Sequence, residues 1–409
     1  MRISTPQLNY NSMEGVRKHA ENLYDIQAKL SSGQRVMTPG DDPIAASRIY
    51  RIDKSIKQMD QYNVNAEFAK SRLNLEDATL GDFTDVMQRV RELGLLGMSD
   101  TQNSAGRKAI AAEMRGLLEN LKAIANTQDS NGEFILSGDK TDVAPYQPVT
   151  LNNVEGIGTG IATPKSYFTK GDGATAVTIN KIDGSSVTVT PAANEIIDNF
   201  NGKTYTLNAT TNTYEDSAQQ PLFAYFGATA GSRFVQIAPD DDNIDNGNDV
   251  GDAARVRISD QGARTFGNYS KTSSTPWAPD YDLKKNPQLN YNIFDTLREM
   301  ANQLDTGTTG APNIFGNDSK MDELMSEVDT TLDAVASTRT DVGTRLQRID
   351  MQYDMNQDFQ GGLTENLSQL RDQDMVTGIS DYQKTLSGLQ MAQLTYSKIS
   401  ELSLFNYLR

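Results

Sequence analysis

The chain has no cysteine and a single histidine among its 409 residues. The lack of cysteine excludes disulfides, thiolate metal sites and cysteine nucleophiles. A Ser-His-Asp triad or a histidine-containing metal site would have to use His19. His19 lies within a predicted helix, where we interpret it as a surface or interface residue. The sequence therefore predicts no catalytic site, no cofactor and no enzymatic activity.

Basic residues are outnumbered, 38 against 54 acidic ones, which gives a formal net charge of −16. An acidic chain repels phosphate backbones and anionic lipid surfaces, so we expect no nucleic-acid partner and no membrane insertion. Long apolar runs are also missing, since no stretch approaches the roughly 20 residues that span a bilayer. Residues 1–6 lack the apolar region of a signal peptide. We therefore expect export from the cell, if it occurs, to use another route.

Two polar loops have the residue types of ligand sites without the required spacing. The glycine-rich residues 156–160 precede Ile161, which stands where the dinucleotide fingerprint needs a glycine, and this favours a flexible loop. The acidic residues within 240–252 offer the oxygen ligands that calcium prefers. The weak candidate ligands are Asp241, Asp242, Asp245 and Asp249. The EF-hand register fails because Ile244 and Ala253 occupy two ligand positions, so we favour a solvated loop.

Apolar residues recur every three or four positions over several segments, which indicates helices. The predicted helices cover residues 6–30, 45–93, 110–124, 293–304, 321–353 and 375–394. We expect Gly33 to end the first helix, and Asp42 and Pro43 to begin the second as its N-cap and first residue.

Other residues are expected to begin, end or interrupt the later helices. Gly94 and Gly97 are predicted to end or fray the second helix. Ser104 is predicted to cap the third helix, and Gly361 with Gly362 to form a hinge after the fifth.

The middle of the chain, about 138–285, is rich in Gly, Thr, Asn and Asp. Asp183 and Gly184 separate residues 176–182 from 186–190, and an Asp-Gly pair between alternating segments is a strong hairpin signal. Further strands are predicted at 202–208, 233–238 and 254–259.

We therefore predict a mainly α fold. It is an elongated, coiled-coil-like helical bundle built from both chain ends, with a β-rich insert domain in the middle. The predicted domains are discontinuous. They are a terminal helical assembly domain (1–40 plus 365–409), a helical rod domain (41–137 plus 286–364) and an outward-facing variable β-rich domain (138–285).

The two chain ends leave two interpretations open. An isolated pair of helices at 1–40 and 365–409 is marginally stable, because its apolar burial must offset the entropy of ordering both segments. The ends could become helical when neighbouring copies pack alongside them. They could instead dock onto the helices of their own chain.

Three segments resemble the flagellin superfamily of bacterial axial proteins. Residues 30–36 and 38–43 resemble its N-terminal L-x-S-G-x-R-(I/V) segment and D-D-P turn. Residues 131–138 resemble the segment before its variable insert. Asp381, Tyr382 and residues 403–408 resemble its C-terminal motif. The resemblance covers about 1–140 and 285–409. Within the superfamily, the first five residues and the last motif resemble the members that join hook to filament more than flagellin proper.

This resemblance implies a structural function without catalysis. Subunits would leave the cell through the flagellar type III export apparatus after release from an export chaperone. They would assemble as a ring at the hook–filament junction, outside the cell. The partners implied are other copies of the chain, the first hook-associated junction protein, and flagellin.

The resemblance also implies which residues act in assembly. Apolar residues of both ends would form the interface within and between subunits: Leu8, Val16, Leu23, Ile26, Leu30, Leu386, Leu389, Leu394, Ile399, Leu402, Leu404, Phe405 and Tyr407. The family-motif turn would comprise Gly33, Arg35, Asp41, Asp42 and Pro43, with Arg35 paired to one of the two aspartates. The alternatives are a flagellin-type filament subunit and, from another class, an enzyme or adhesin carried on a helical stalk.

Overall fold

The computed structural model describes most of the chain, including both long helical regions. The described residues are 5–99, 102–153, 168–174, 176–180, 186–198, 204–216, 219–227, 232–239, 254–267, 292–306 and 321–407. Their helices are α1 (Thr5–Ser32), α2 (Pro43–Met98), α3 (Ser104–Ala125), α4 (Gly262–Phe266), α5 (Ile293–Thr306), α6 (Met321–Arg371) and α7 (Met375–Tyr407). The six predicted helices are confirmed, as is the mainly α fold with its strands in the middle.

The described strands all lie between α3 and α5. They are β1 (Tyr146–Pro148), β2 (Phe168–Lys170), β3 (Val177–Asn180), β4 (Ser186–Val189), β5 (Glu195–Asp198), β6 (Thr204–Asn208), β7 (Thr213–Glu215), β8 (Phe223–Tyr225), β9 (Phe234–Gln236) and β10 (Arg255–Arg257). One antiparallel sheet has the order β2-β5-β6-β7, and the other strands form the pairs β1-β8, β3-β4 and β9-β10. The hairpin prediction is confirmed, since Val177 pairs with Val189 and Asn180 with Ser186.

The chain divides into two compact units. Unit 1 contains Met1–Gln61 and Asp354–Arg409, and unit 2 contains Tyr62–Tyr353. Both chain ends therefore contribute to the same unit, and α2 and α6 each contribute to both units. The three-part division predicted from the sequence stays a prediction.

Helix α2 does not end at Gly94 as predicted, and it ends at Met98, one residue after Gly97. The two glycines leave room for neighbouring side chains. A Cβ at Gly97 would lie 2.6 Å from Leu304 Cδ2, and one at Gly94 would collide with Met325. The missing side chains thus let α5 and α6 pack closely on α2, which offsets the helix-destabilising effect of glycine.

The hinge predicted at Gly361 and Gly362 is also wrong, because α6 runs through both residues to Arg371. A Cβ at either position would meet no heavy atom within 4 Å. Glycine in a helix costs only about 1 kcal/mol relative to alanine, so a long helix with good formers on both sides tolerates it.

The N-cap of α3 is Asn103 rather than the predicted Ser104. The Asn103 side chain accepts a hydrogen bond from the Gly106 amide at 2.8 Å, and Ser104 becomes the first helical residue. Both residue types satisfy free amides at a helix start, and asparagine is at least as effective as serine.

The main core of unit 2 lies between α2, α3, α5 and α6. Its aromatic centre is Phe83, whose ring stacks on Phe266 at 4.0 Å between centroids. Tyr146 and Phe294 meet edge to face beside this pair at 4.7 Å. These side chains are at most 1% exposed, so unit 2 closes a dry core with its own residues.

Candidate assembly surface

Helices α1 and α7 of unit 1 pack against each other in antiparallel orientation. Leu30 of α1 contacts α7 at Gly378, and His19 contacts it at Gly388. A Cβ would lie 2.7 Å from Leu30 Cδ2 at the first glycine and 3.2 Å from His19 Cε1 at the second. These glycines therefore admit α1 side chains close to the α7 backbone.

The predicted interface residues whose side chains are described are half-buried in the single chain, except Leu394, which is 60% exposed. Those whose side chains are described as half-buried are Val16, Leu23, Ile26, Leu30, Leu386, Leu389 and Ile399. Among the described residues of α1 and α7, no large apolar side chain is fully buried. The side chains of Leu8, Leu402, Leu404, Phe405 and Tyr407 lie outside the described residues.

A second apolar surface lies on the side of α7 that faces away from α1. It consists of Val376, Ile379, Met391 and Leu394, and we call it the outer face of α7. Val376 is 81% exposed and Leu394 60% exposed. These two residues are about five helical turns apart and point in the same direction, opposite to the side that carries Gly378 and Gly388. Helix α7 thus has apolar residues on both sides, as is typical of a helix that is buried all round.

Helix α1 carries exposed apolar residues as well. Tyr10, Met13 and Tyr24 are each more than half exposed, and their spacing places them on one side of the helix. Exposed apolar residues on both paired helices form the kind of surface that marks a protein–protein interface.

The turn after α1 binds the junction between α6 and α7. Gly33 has a φ of +71°, a left-handed conformation that ends α1 as predicted. The Arg35 amide donates to Arg371 O at 2.7 Å, and Arg35 Nη2 donates to Leu370 O at 2.7 Å. The Gln373 amide in turn donates to Gly33 O at 2.8 Å. The amide and the cationic side chain of Arg35 thereby satisfy one carbonyl each at the C-terminus of α6.

Asp41 stabilises the backbone conformation of the middle of this turn. Its carboxylate accepts hydrogen bonds from the amides of Thr38, at 2.9 Å, and Met37, at 3.1 Å. These backbone donors, Thr38 first, lower the pKa of Asp41 below its ordinary value, with a smaller contribution from Lys29.

Asp42 starts α2 as predicted. Its side chain accepts a hydrogen bond from the Ala45 amide at 2.9 Å, and Pro43 is the first helical residue. Arg35 Nη1 lies 3.7 Å from Asp42 Oδ2, so of the two possible aspartate partners the arginine pairs with Asp42.

Asp374, which was not predicted from the sequence, caps α7. Its carboxylate accepts from the Val376 amide at 2.9 Å and from Thr377 Oγ1 at 2.7 Å. These hydrogen bonds, chiefly those from Thr377, lower the pKa of Asp374. An aspartate directly before an apolar helical stripe is an N-cap signal that could have identified it.

The structure does not describe the polar loops singled out in the sequence. Asp241, Asp242, Asp245 and Asp249, like residues 156–160, lie outside the described residues. Within the part of the chain that is described, no three or more His, Asp or Glu side chains are grouped so that they could hold a metal ion. Across the same residues, no helix combines the length and apolarity needed to cross a membrane.

Known proteins resemble the chain in both sequence and fold. Residues 3–141 match the family model of the bacterial flagellin N-terminal helical region. The flagellar hook-associated protein 3 of Escherichia coli K12 is 32% identical over 146 residues, which cover 36% of this chain and 46% of that protein. The flagellin of Listeria innocua serovar 6a is 25% identical over 216 residues, 50% of this chain and 75% of that protein.

A solved structure from Vibrio parahaemolyticus, described as a flagellar hook-associated protein, covers 81% of this chain and 100% of its own, with a TM-score of 0.50. Its 13% sequence identity makes this a likeness of fold. The chain spans about half the length of the hook-associated relatives that it matches. Residues 3–141 are thus similar to the N-terminal helical region of bacterial flagellins.

Proposed function

We propose that the chain is a structural subunit of the bacterial flagellum that forms the ring at the junction between hook and flagellin filament. The observation that carries this proposal is the outer face of α7. That surface is apolar and exposed in a single chain, although α7 already packs against α1 on its other side. The sequence similarity to proteins named flagellar hook-associated protein 3 supports the position in the flagellum.

In this proposal, assembly completes the burial of the terminal helices. Each apolar side chain of the outer face of α7 would gain up to about 1.5–3 kcal/mol if a neighbouring copy buried it fully, and less in proportion to the part already covered. The half-buried residues between α1 and α7, such as Leu23 and Leu389, hold the pair together within one subunit. The side chains of Leu402, Leu404, Phe405 and Tyr407 would extend the same interface.

In this proposal, the turn at residues 33–43 stabilises the pair formed by α1 and α7. Arg35 links the turn to the end of α6, while Asp41 and Asp42 shape the turn and start α2. The division into domains 1–40 plus 365–409, 41–137 plus 286–364, and 138–285 belongs to the same proposal, with the β-rich part facing outward.

The proposed partners are other copies of the chain, the first hook-associated junction protein, and flagellin. Before assembly, an export chaperone would hold the chain and the type III export apparatus would carry it out of the cell without a cleaved signal peptide. The work of the subunit is geometric, so the proposal includes no enzymatic activity.

A flagellin-type filament subunit is the second candidate function. The match to Listeria innocua flagellin favours it, because it covers more of both chains than the hook-associated match does. The lower identity of that match, 25% against 32%, favours the junction protein.

Deletion of the gene separates the two candidates. Electron microscopy of the deleted strain should show hooks without filaments, and the medium should contain flagellin that failed to polymerise. Hooks without filaments and without free flagellin would identify a filament subunit. Intact filaments would contradict both functions.

The outer face of α7 can be tested directly by substituting Leu394. Leu394→Asp should abolish incorporation of the subunit while leaving the helix content of the monomer unchanged, because Leu394 is 60% exposed before assembly. Leu394→Met keeps the position apolar and is the matched control, which should incorporate normally. Normal incorporation of Leu394→Asp would show that this surface is not an assembly contact.

Leu389→Asp addresses the side of α7 toward α1. It should block assembly too, but with a loss of α1–α7 pairing in the monomer, since Leu389 is half-buried. Circular dichroism of both monomers would show this difference between the two leucines.

A further inference from the structure

Residues 254–267 of unit 2, which we call the bridging segment, are bound by arginines from two long helices. Arg72 of α2 donates from Nε to Ile258 O at 3.0 Å. Arg345 of α6 donates from Nη1 to Arg257 O at 3.2 Å. The bridging segment thus joins α2 to α6 through charged hydrogen bonds, which are stronger than neutral ones.

Asp260 is the acidic centre of this arrangement. Its side chain is 9% exposed and pairs with Arg345 of α6 and with Arg257, at 2.9 Å, within the segment. Burial alone would raise the pKa of Asp260, but the charges of Arg257 and Arg345 hold it well below its ordinary value. Asp260 is therefore an ionised acceptor.

Glu76 lies one helical turn after Arg72 and is completely buried. Neither of its carboxyl oxygens accepts a hydrogen bond from a donor among the described residues, and its side-chain contact is with the Asp260 carboxyl. Burial raises the pKa of Glu76 well above its ordinary value, and the adjacent charge of Asp260 raises it further. Arg345 and Arg257 oppose this rise, but both are engaged with Asp260.

The geometry decides between two charge states of Glu76. An ionised carboxylate without a donor is among the most costly groups to bury, and a second negative charge beside Asp260 adds repulsion. A protonated carboxyl is neutral and can donate its proton to the Asp260 carboxylate that it contacts. Two neighbouring carboxyls that share one proton satisfy both groups.

We propose that Glu76 and Asp260 share a single proton and form a pH-sensitive clasp that holds α2 to the bridging segment and to α6. The clasp is closed while Glu76 is protonated. Loss of that proton leaves two buried negative charges facing two arginines, of which neither donates to Glu76, and the contact weakens.

The direction of the pH dependence follows from whether the folded or the unfolded chain binds the Glu76 proton more tightly. In the unfolded chain Glu76 has an ordinary pKa of about 4.3, below that of the folded chain. The folded state therefore binds more protons between the two values, and stability falls as pH rises through that window. Below about pH 4.3 this contribution is fully present.

The test is denaturant unfolding of the full chain between about pH 5 and pH 9, for the native sequence and for Glu76→Gln. Glutamine has the same shape, can donate to Asp260 and cannot ionise. Each pH unit inside the window should increase the folded-to-unfolded ratio of the variant, relative to the native chain, by up to about tenfold. The matched control is Glu92→Gln, an exposed glutamate of the same helix, which should show no such trend.

An advantage of Glu76→Gln that stays constant or shrinks as pH rises would overturn the proposal, because Glu76 would then be ionised when folded. Infrared spectroscopy of the native chain gives an answer that does not depend on a variant. A protonated carboxyl band should be present in the folded chain near neutral pH and vanish on unfolding. Its absence from the folded chain would also overturn the clasp.

Discussion

Units 1 and 2 differ in how completely they bury their apolar side chains. In unit 2, Leu80, Phe83 and Met114 are fully inaccessible. In unit 1, Val376, Met391 and Leu394 of α7 are all more than half exposed. Unit 2 therefore completes its core within one chain, whereas the terminal helices of unit 1 present a surface that a second chain can complete.

The two units also differ in whether the acidic side chains discussed above are buried or exposed. Unit 2 buries Glu76 and Asp260 beside arginines. In unit 1, Asp41 lies in the exposed turn after α1 and Asp374 at the exposed start of α7. Backbone amides donate hydrogen bonds to both carboxylates. Burial raises the pKa of Glu76, while hydrogen bonds lower the pKa of Asp41 and Asp374, so alkali should weaken the contacts of Glu76 in unit 2 and acid should weaken those of Asp41 and Asp374 in unit 1.

Among the substitutions that test this comparison between the two units, the largest loss of stability is expected at the aromatic core of unit 2. Phe83→Ala should lower the free energy of unfolding of unit 2 by about 3–5 kcal/mol, because it leaves a cavity beside Phe266. Hydrogen exchange of peptides from each unit would measure it. The matched change in unit 1, Leu386→Ala, should cost less, since Leu386 is only half-buried. Equal losses at the two sites would break the comparison.

An intermediate effect is expected from replacing glycine by alanine in the interior of a helix. Gly94→Ala in α2 should destabilise unit 2 by about 1–3 kcal/mol, because the new methyl group collides with Met325 and crowds Met300. Gly361→Ala in α6 should stabilise unit 1 by about 0.5–1 kcal/mol, because the site is open. Thermal unfolding of the two variants should therefore shift in opposite directions, and shifts of the same sign would contradict the packing described for α2.

The smallest effect concerns the turn after α1. The lowered pKa of Asp41 makes its stabilising contribution complete above its ordinary pKa and lost as pH falls through the folded value. Asp41→Asn should therefore reduce the unfolding temperature of unit 1 near pH 6, and this reduction should become smaller as the pH falls below the ordinary pKa of Asp41. A reduction that stays constant as the pH falls would mean that the shape of the side chain matters rather than its charge.

The sequence allowed the helices to be predicted better than their contacts. Apolar periodicity located the helices, and Asp42, Pro43 and Gly33 marked true boundaries because caps depend on local backbone chemistry. Gly94 and Gly361 were misinterpreted because the effect of a glycine depends on what packs beside it, which no local pattern contains.

The strands and the charged network were harder to predict. Strands of three or four residues such as β1 and β8 are too short to show alternation, and their pairing across long separations is set by the fold. The environment of Glu76 could not be predicted either, because its neighbours Asp260 and Arg345 are distant in sequence. At the assembly surface, the sequence indicated which residues are apolar, and the structure shows which of them α1 leaves uncovered.

The hydrogen bond from Arg35 to Leu370 joins residues 335 positions apart in the chain. A ribosome adding roughly 5–20 residues per second needs on the order of 20–70 s to travel that distance. Throughout that time α1 has neither α7 nor the end of α6 to bind. Unit 1 is therefore a structure that can close only after nearly the whole polypeptide has been made.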